Sequence, residues 1–102
     1  MLHVIALLEI AEPAAFRDFE SHALEIAQRH GGILLSAFAP DPALSTAFTP
    51  PVDEIHVLQF PDAEALARYR RDPDLQGLAN LRERGVRSTR LLVAGQTQTY
   101  TM

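Results

Sequence analysis

The stretch LHVIALLEI, residues 2–10, restricts the fold of this chain more than any other. It is aliphatic and β-branched at both parities. Val4, Ala6 and Leu8 would face one side of a strand, Ile5 and Leu7 the other. A strand wet on one face alternates apolar and polar residues, so this one reads as a central strand covered on both faces. The chain has 102 residues, the size of one domain. A domain this small buries only about 60–70% of its unfolded surface, so two apolar sheet faces are more than it can easily cover alone.

The remaining elements follow from punctuation. Pro13 stands where a helix tolerates proline, in its first turn. Phe16, Phe19, Ala23, Ile26 and Ala27 recur at three- and four-residue steps, with Arg17, Asp18, Glu25 and Arg29 off that stripe. Gly31-Gly32 stops the helix. Ile33 to Phe38 (ILLSAF) is a second strand. Four prolines, Pro40, Pro42, Pro50 and Pro51, punctuate a loop expected to be mobile and able to act as a lid. Glu54 to Phe60 (EIHVLQF) is a third strand, ended by Pro61. Asp62 caps a short helix whose arginines Arg68, Arg70 and Arg71 fall in its last turn, where positive charge suits the dipole. The acid–arginine polarity of FPDAEALARYRRDP is thus what a capped helix needs. Asp72-Pro73 opens another helix through Leu75, Leu78, Ala79 and Leu81 to Gly85. Arg87 to Ala94 is a fourth strand, and QTQTYTM, 96–102, reads as an extended arm after a single domain over 1–95.

With right-handed crossovers, this order gives a ferredoxin-like α+β fold: βαββαβ, a four-stranded antiparallel sheet with two main helices on one face. The first and third strands are then central neighbours. Two helices cover only one face, so one apolar side of the first strand would stay exposed, a liability in a monomer. The same face of a second copy is the simplest cover, so the expected partner is the chain itself, as a homodimer through its sheet faces.

Two stretches, AFRDFESHALEIAQRHGGILL and IHVLQFPDAEALARYRRDPDLQGLANLR, carry a family resemblance. The aromatic-rich helix ending in His-Gly-Gly, the strand ending in Phe-Pro, the acid-capped helix and the Asp-Pro turn resemble the dimeric α/β-barrel superfamily. Within it they resemble a widespread family of uncharacterised small bacterial proteins. The likeness runs from Leu2 to Gly95, and the loop from Pro40 to Pro51 departs from it. The resemblance implies a dimeric α/β barrel. Its better-known relatives include cofactor-free monooxygenases of quinone and polyketide biosynthesis, haem-degrading enzymes, muconolactone-type isomerases and stress-responsive barrels.

Composition removes several functions. There is no cysteine, so thiolate catalysis, disulfides and cysteine metal sites are excluded. A net charge of −4 argues against a nucleic-acid surface. The longest apolar run is too short to span a bilayer, and no basic segment precedes it, so the expectation is a cytoplasmic protein without a membrane partner. No histidine pair has metal-ligand spacing, no glycine-rich loop opens a helix and no serine elbow is present, so no metal and no cofactor is expected.

The candidates for chemistry are few. His56 lies on the third strand. Facing a cavity between the sheet and a partner, it would be a general base for an acidic phenol or ketone. It shares parity with Leu58 and Phe60, however, and on the helix side it would be core. Tyr69 would be core or would point its hydroxyl into a cavity. Arg90, inside the fourth strand, would guide an anion or pair with Glu9 or Glu54. His3 is a ligand-binding candidate or a frayed end. His22 and His30 read as structural parts of the first helix. Charge is uneven: ten acids against two arginines through Glu64, then seven arginines against three acids. Two functions follow. One is a protein that binds or transforms a small apolar or anionic organic molecule, monooxygenase- or isomerase-like. The other is a non-catalytic dimeric structural or stress-responsive module.

Overall fold

A computed structural model of the protein describes residues 1–101. The element order is β1 (Leu2–Ile10), α1 (Pro13–Arg29), β2 (Ile33–Phe38), β3 (Glu54–Phe60), α2 (Ala63–Arg71), α3 (Pro73–Gln76), α4 (Ala79–Gly85) and β4 (Val86–Val93). The four strands form one antiparallel sheet in the order β2-β3-β1-β4. This is the ferredoxin-like α+β fold, with β1 and β3 at the centre. Among the described residues no helix is long and apolar enough to cross a membrane. Residues 94–101 form no regular element and are exposed; Met102, the last residue of the expected arm, lies outside the described residues.

The helices all lie against one sheet face because the parity of β1 and β3 leaves no other choice. Val4, Ala6 and Leu8 are buried, and so are Glu54, His56 and Phe60. Phe16, Phe19 and Ala23 of α1 pack on Ala6, Leu8 and Val86, while Ala27 joins Val4, Phe60, Ala65 and Leu66 in a second cluster. Gly31, at φ 80, lets the chain leave α1 in the left-handed conformation; a Cβ there would also stand 2.7 Å from Pro61 Cγ. Gly85 lets the end of α4 meet α1: a Cβ would stand 2.6 Å from the Phe16 nitrogen.

Asp62 and Asp72 cap α2 and α3, accepting from the backbone N–H of Ala65 at 2.8 Å and of Asp74 at 2.9 Å. The continuous helix expected from Leu75 to Gly85 is broken into α3 and α4 at Gly77–Leu78, since glycine in mid-helix is a weak helix former. The end of α1 is tied to α3 by His30 Nε2, which donates to Asp72 Oδ2 at 2.7 Å, and by Arg29 to Asp74 at 2.6 Å.

The other face of the sheet carries no helix. Ile5 pairs with Val57 and Leu92 there, and Leu7 with Ile55 and Arg90. Ile33, Phe38 and Leu92 are about half exposed, at 50%, 49% and 59%. The loop between β2 and β3 is exposed but tied at its far end. Asp53 Oδ2 accepts from the Ile10 amide at 2.7 Å, and Arg90 donates to the Pro50 carbonyl at 2.9 Å.

Candidate functional site

The inward residues of β3 build the site. His56 stands between Ala6 on β1 and Ala37 on β2 in the strand register. Alanine on both sides leaves the imidazole lateral room, and α1 fills it from above with Phe16, whose ring centroid is 6.5 Å away. His56 is 3% exposed. It does not stand there as an isolated polar group. Its Nε2 lies 2.6 Å from Glu54 Oε2, and the other oxygen of Glu54 accepts from Arg17 Nη1 at 2.6 Å. On the opposite side of the ring, Nδ1 lies 3.5 Å from Glu20 Oε2. Arg17, Glu54, His56 and Glu20 thus form one chain of charge, running from the surface of α1 under the helix and back to it.

The protonation of this chain follows from its surroundings. Burial alone would raise the Glu54 carboxyl, but the hydrogen bonds from His56 and Arg17 outweigh it and hold the group below the usual carboxylate range. Glu54 is therefore the anion of the chain, and Nε2 of His56 carries the hydrogen it accepts. Glu20 is in the opposite condition. Burial pushes its pKa up, an effect opposed by His56 and reinforced by the charge of Glu54. Nε2 of His56 is thus turned to an ionised carboxylate, while Nδ1 faces Glu20, the carboxyl that burial pushes toward its neutral form.

This end of the chain opens into a cleft. Between the helices and the sheet lies a cavity of about 920 Å³, reached by Glu20, His56 and Tyr69. Its walls are largely apolar and include Ala6, Leu58, Phe60, Leu66 and Leu75. Tyr69 leans on Phe60, with ring centroids 5.6 Å apart, and its hydroxyl makes no hydrogen bond among the described residues. Burial pushes that hydroxyl up to about 12, so it is a neutral donor at ordinary pH. Arg70 and Arg82 also line the cleft. Among the described residues no group of three or more histidine, aspartate or glutamate side chains is placed to hold a metal ion.

The structure brings His56 and Tyr69 into one cleft and leaves the other two sequence candidates elsewhere. His3 is exposed on the helix-free face, opposite Gln59. Arg90 is on that same face, opposite Leu7, with its guanidinium against the carbonyls of Pro50 and Pro51 and 5.6 Å from the Phe48 ring. It pairs with neither Glu9 nor Glu54. The cleft also lies on the helix side of the sheet, whereas sequence reasoning puts a cavity between the sheet and a partner. A second cleft, of about 810 Å³, does lie on the helix-free side, between Phe38, Ile55 and the proline-punctuated loop. His22 is exposed and its Nδ1 is 2.8 Å from the Asp18 carbonyl, a local helical contact.

Sequence reasoning misses Glu20 and Arg82. Glu20 has a legible signal: it stands four residues after Phe16 and three before Ala23, an acid inside a stripe that is otherwise apolar. Arg82 has none, because its place at the cleft depends on the break between α3 and α4.

Comparison with known proteins agrees with this architecture. Residues 2–96 match the family described as "Domain of unknown function (DUF1330)". No curated protein matches the chain. Among solved structures, a protein of unknown function from Rhodopseudomonas palustris is similar with a TM-score of 0.79 at 16% identity, over 96% of this chain and 83% of that one. A dabb family protein with a ferredoxin-like fold from Mesorhizobium loti gives 0.69 at 14% identity, over 95% and 97%. SnoaB, a cofactor-independent oxygenase from Streptomyces nogalater, gives 0.68 at 11% identity, over 96% and 94%.

Proposed function

The chain belongs to the DUF1330 family, domains of unknown function, and on that premise we propose that it binds a small organic molecule in the cleft between helices and sheet and exchanges a proton with it. One observation carries this reading. A hydrogen-bonded chain from Arg17 through Glu54 to His56 ends at Glu20 in an apolar cleft that also holds a Tyr69 hydroxyl without a partner. A ligand with a weakly acidic O–H or C–H gives its proton to the His56–Glu20 pair, behind which the Glu54 carboxylate stabilises the positive charge that appears on the imidazole. Tyr69 donates its hydrogen bond to the ligand oxygen on which negative charge develops. The apolar walls lower the polarity around these groups and so strengthen both interactions.

The anion formed in this way is the starting point of two reactions. Return of the proton to another carbon gives an isomer. Attack on oxygen gives a cofactor-independent oxygenation, the kind of activity that SnoaB has on this same fold. The chemistry needs only groups that the chain itself supplies up to the point where the proton has moved.

A second reading, a non-catalytic dimeric module, is favoured by the helix-free face, where Ile33, Phe38 and Leu92 remain about half exposed. Both readings share the proposal that two copies meet through this face. They part at the cleft.

The test of the first reading is α-hydrogen exchange of cyclohexanone in D2O, followed by proton NMR, with methyl spectra of the protein recorded in the same tube. Exchange faster than buffer, shifts at Ala6, Leu58 and Leu66, and loss of exchange in a folded His56→Gln variant are the expected results. Buffer-rate exchange together with unmoved cleft methyls overturns the reading.

A further inference from the structure

We propose that the ligand of this cleft is an organic anion, an apolar ring or short chain bearing a carboxylate, held at the mouth by Arg82 and Arg70. This rests on the reading of the cleft as a binding site and adds the charge of its occupant.

The arginines of this protein are unevenly placed and unevenly used. The chain is acidic overall, yet seven of its nine arginines follow Ala65. Several arginines have partners. Arg17 holds Glu54 and Arg29 holds Asp74, each at 2.6 Å. Arg87 stands 3.9 Å from Glu9, and Arg90 holds backbone carbonyls. Arg70 and Arg82, both at the cleft, form no salt bridge among the described residues. Among the described residues the one side-chain hydrogen bond of Arg82 is long, 3.4 Å from Nη2 to Thr89 Oγ1. Both guanidinium groups keep their forked donors available, and that fork matches a carboxylate.

The acids of the cleft do not cancel this charge. Glu20 is engaged with His56 and sits where burial favours its neutral form. Glu54, behind His56 and not in the lining, is paired with Arg17 at 2.6 Å and hydrogen-bonded to His56. Only Glu83 stands against Arg70, Arg82 and Arg87 among the remaining charged residues of the lining. The charge of Arg82 reaches inward: it is felt both by Glu20 and by Tyr69. Beyond the mouth, Leu58, Phe60, Leu66 and Leu75 present apolar surface. A positive rim over an apolar interior fits an amphipathic acid, with its carboxylate outward and its body inside.

Benzoate and its neutral isostere benzamide separate the cases, titrated into the full chain and followed by methyl NMR and calorimetry. Benzoate is expected to shift the methyls of Ala6, Leu58 and Leu66 and to bind about tenfold or more tighter than benzamide, the scale of one charge-assisted contact. Arg82→Gln should remove most of that preference, and added salt should narrow it. Arg68→Gln, on an exposed arginine that does not line the cleft, should leave it unchanged. Equal binding of the two probes at the cleft methyls overturns the anion while leaving the cleft as a binding site. Equal losses of benzoate affinity in Arg68→Gln and Arg82→Gln overturn the anion in the same way. If neither probe moves the cleft methyls, the binding site itself falls, and the anion with it.

Discussion

His56→Leu tests the buried charge chain as a structural object, apart from any ligand. Leucine resembles the imidazole in bulk, so the change creates little cavity and mainly removes hydrogen bonding. What is lost is the 2.6 Å contact to an ionised Glu54. A hydrogen bond to a charged group contributes about 1.5–3 kcal/mol. Glu54 itself is 8% exposed, so water cannot readily replace the donor. Arg17 still holds the other oxygen at 2.6 Å, which stops the carboxylate from becoming an isolated buried charge. The expected loss is about 2–3 kcal/mol. At about 4–8 °C per kcal/mol for a domain of this size, the melting midpoint should fall by roughly 10–20 °C.

The assay is thermal unfolding by circular dichroism at pH 7, at one fixed protein concentration because a dimer would couple stability to concentration. Glu54→Leu and the double variant complete a cycle. Removing both partners leaves neither group unsatisfied, so the double variant should lose less than the sum of the single variants, by about 1.5 kcal/mol or more. Strict additivity would refute the argument, since it would mean that His56 and Glu54 do not act on one another. A His56→Leu midpoint within ~2 °C of the parent would refute it as well.

Further outcomes are expected for the charge chain and for the assembly. Glu54, held below the usual range, contributes stability that is present above the ordinary glutamate value of about 4.3 and is lost as pH falls through its lowered folded value. Glu54→Gln should therefore be less stable at pH 7 and flatten the acid limb of a denaturant-midpoint profile, whereas Glu20, whose pKa is raised, opposes folding when ionised, so Glu20→Gln should gain on the parent above that value. Sedimentation equilibrium at micromolar concentration should give twice the 11.3 kDa chain mass, and Ile5→Glu on the helix-free face should return it to one; a well-folded parent monomer counts against the proposed dimer.

Much of the fold was legible because parity and caps are local. The two-sided aliphatic run Leu2–Ile10 already requires a central strand, and β1 lies between β3 and β4. Asp62 and Asp72 announce their helices and cap them. The site was only half legible. Parity ties His56 to Phe60, and Phe60 is buried under the helices, so the side of the sheet that His56 takes follows from residues four apart. The cleft does not follow from parity, because it arises where the short α3 and α4 stand over the sheet after the break at Gly77–Leu78. Arg90 and His3 carry charge and hydrogen-bonding groups just as Arg82 and His56 do. Only the register, which sets them beside Leu7 and Gln59, puts them on the other face.

The cost of the charge chain argues that it is there for a reason other than closing the fold. Replacing a buried ionic group by apolar residues of similar size is often neutral or stabilising. The surrounding sequence could supply such a core without effort, since Val4, Ala6, Leu8, Phe16 and Phe19 already line the same face. Instead, β3 places a carboxylate and an imidazole two residues apart on its inward side, and α1 gives up one position of its apolar stripe to Glu20. His56 and Glu20 are also the members of the chain that reach the cleft. Local rules for a helix and a strand are broken here together, on two elements distant in sequence, and the broken rules meet on the two nitrogens of one imidazole, Glu54 at 2.6 Å and Glu20 at 3.5 Å. A purely structural origin would leave such departures scattered. Their convergence in an apolar cleft is what makes the pairing of His56 with Glu20 the property of this protein most worth measuring.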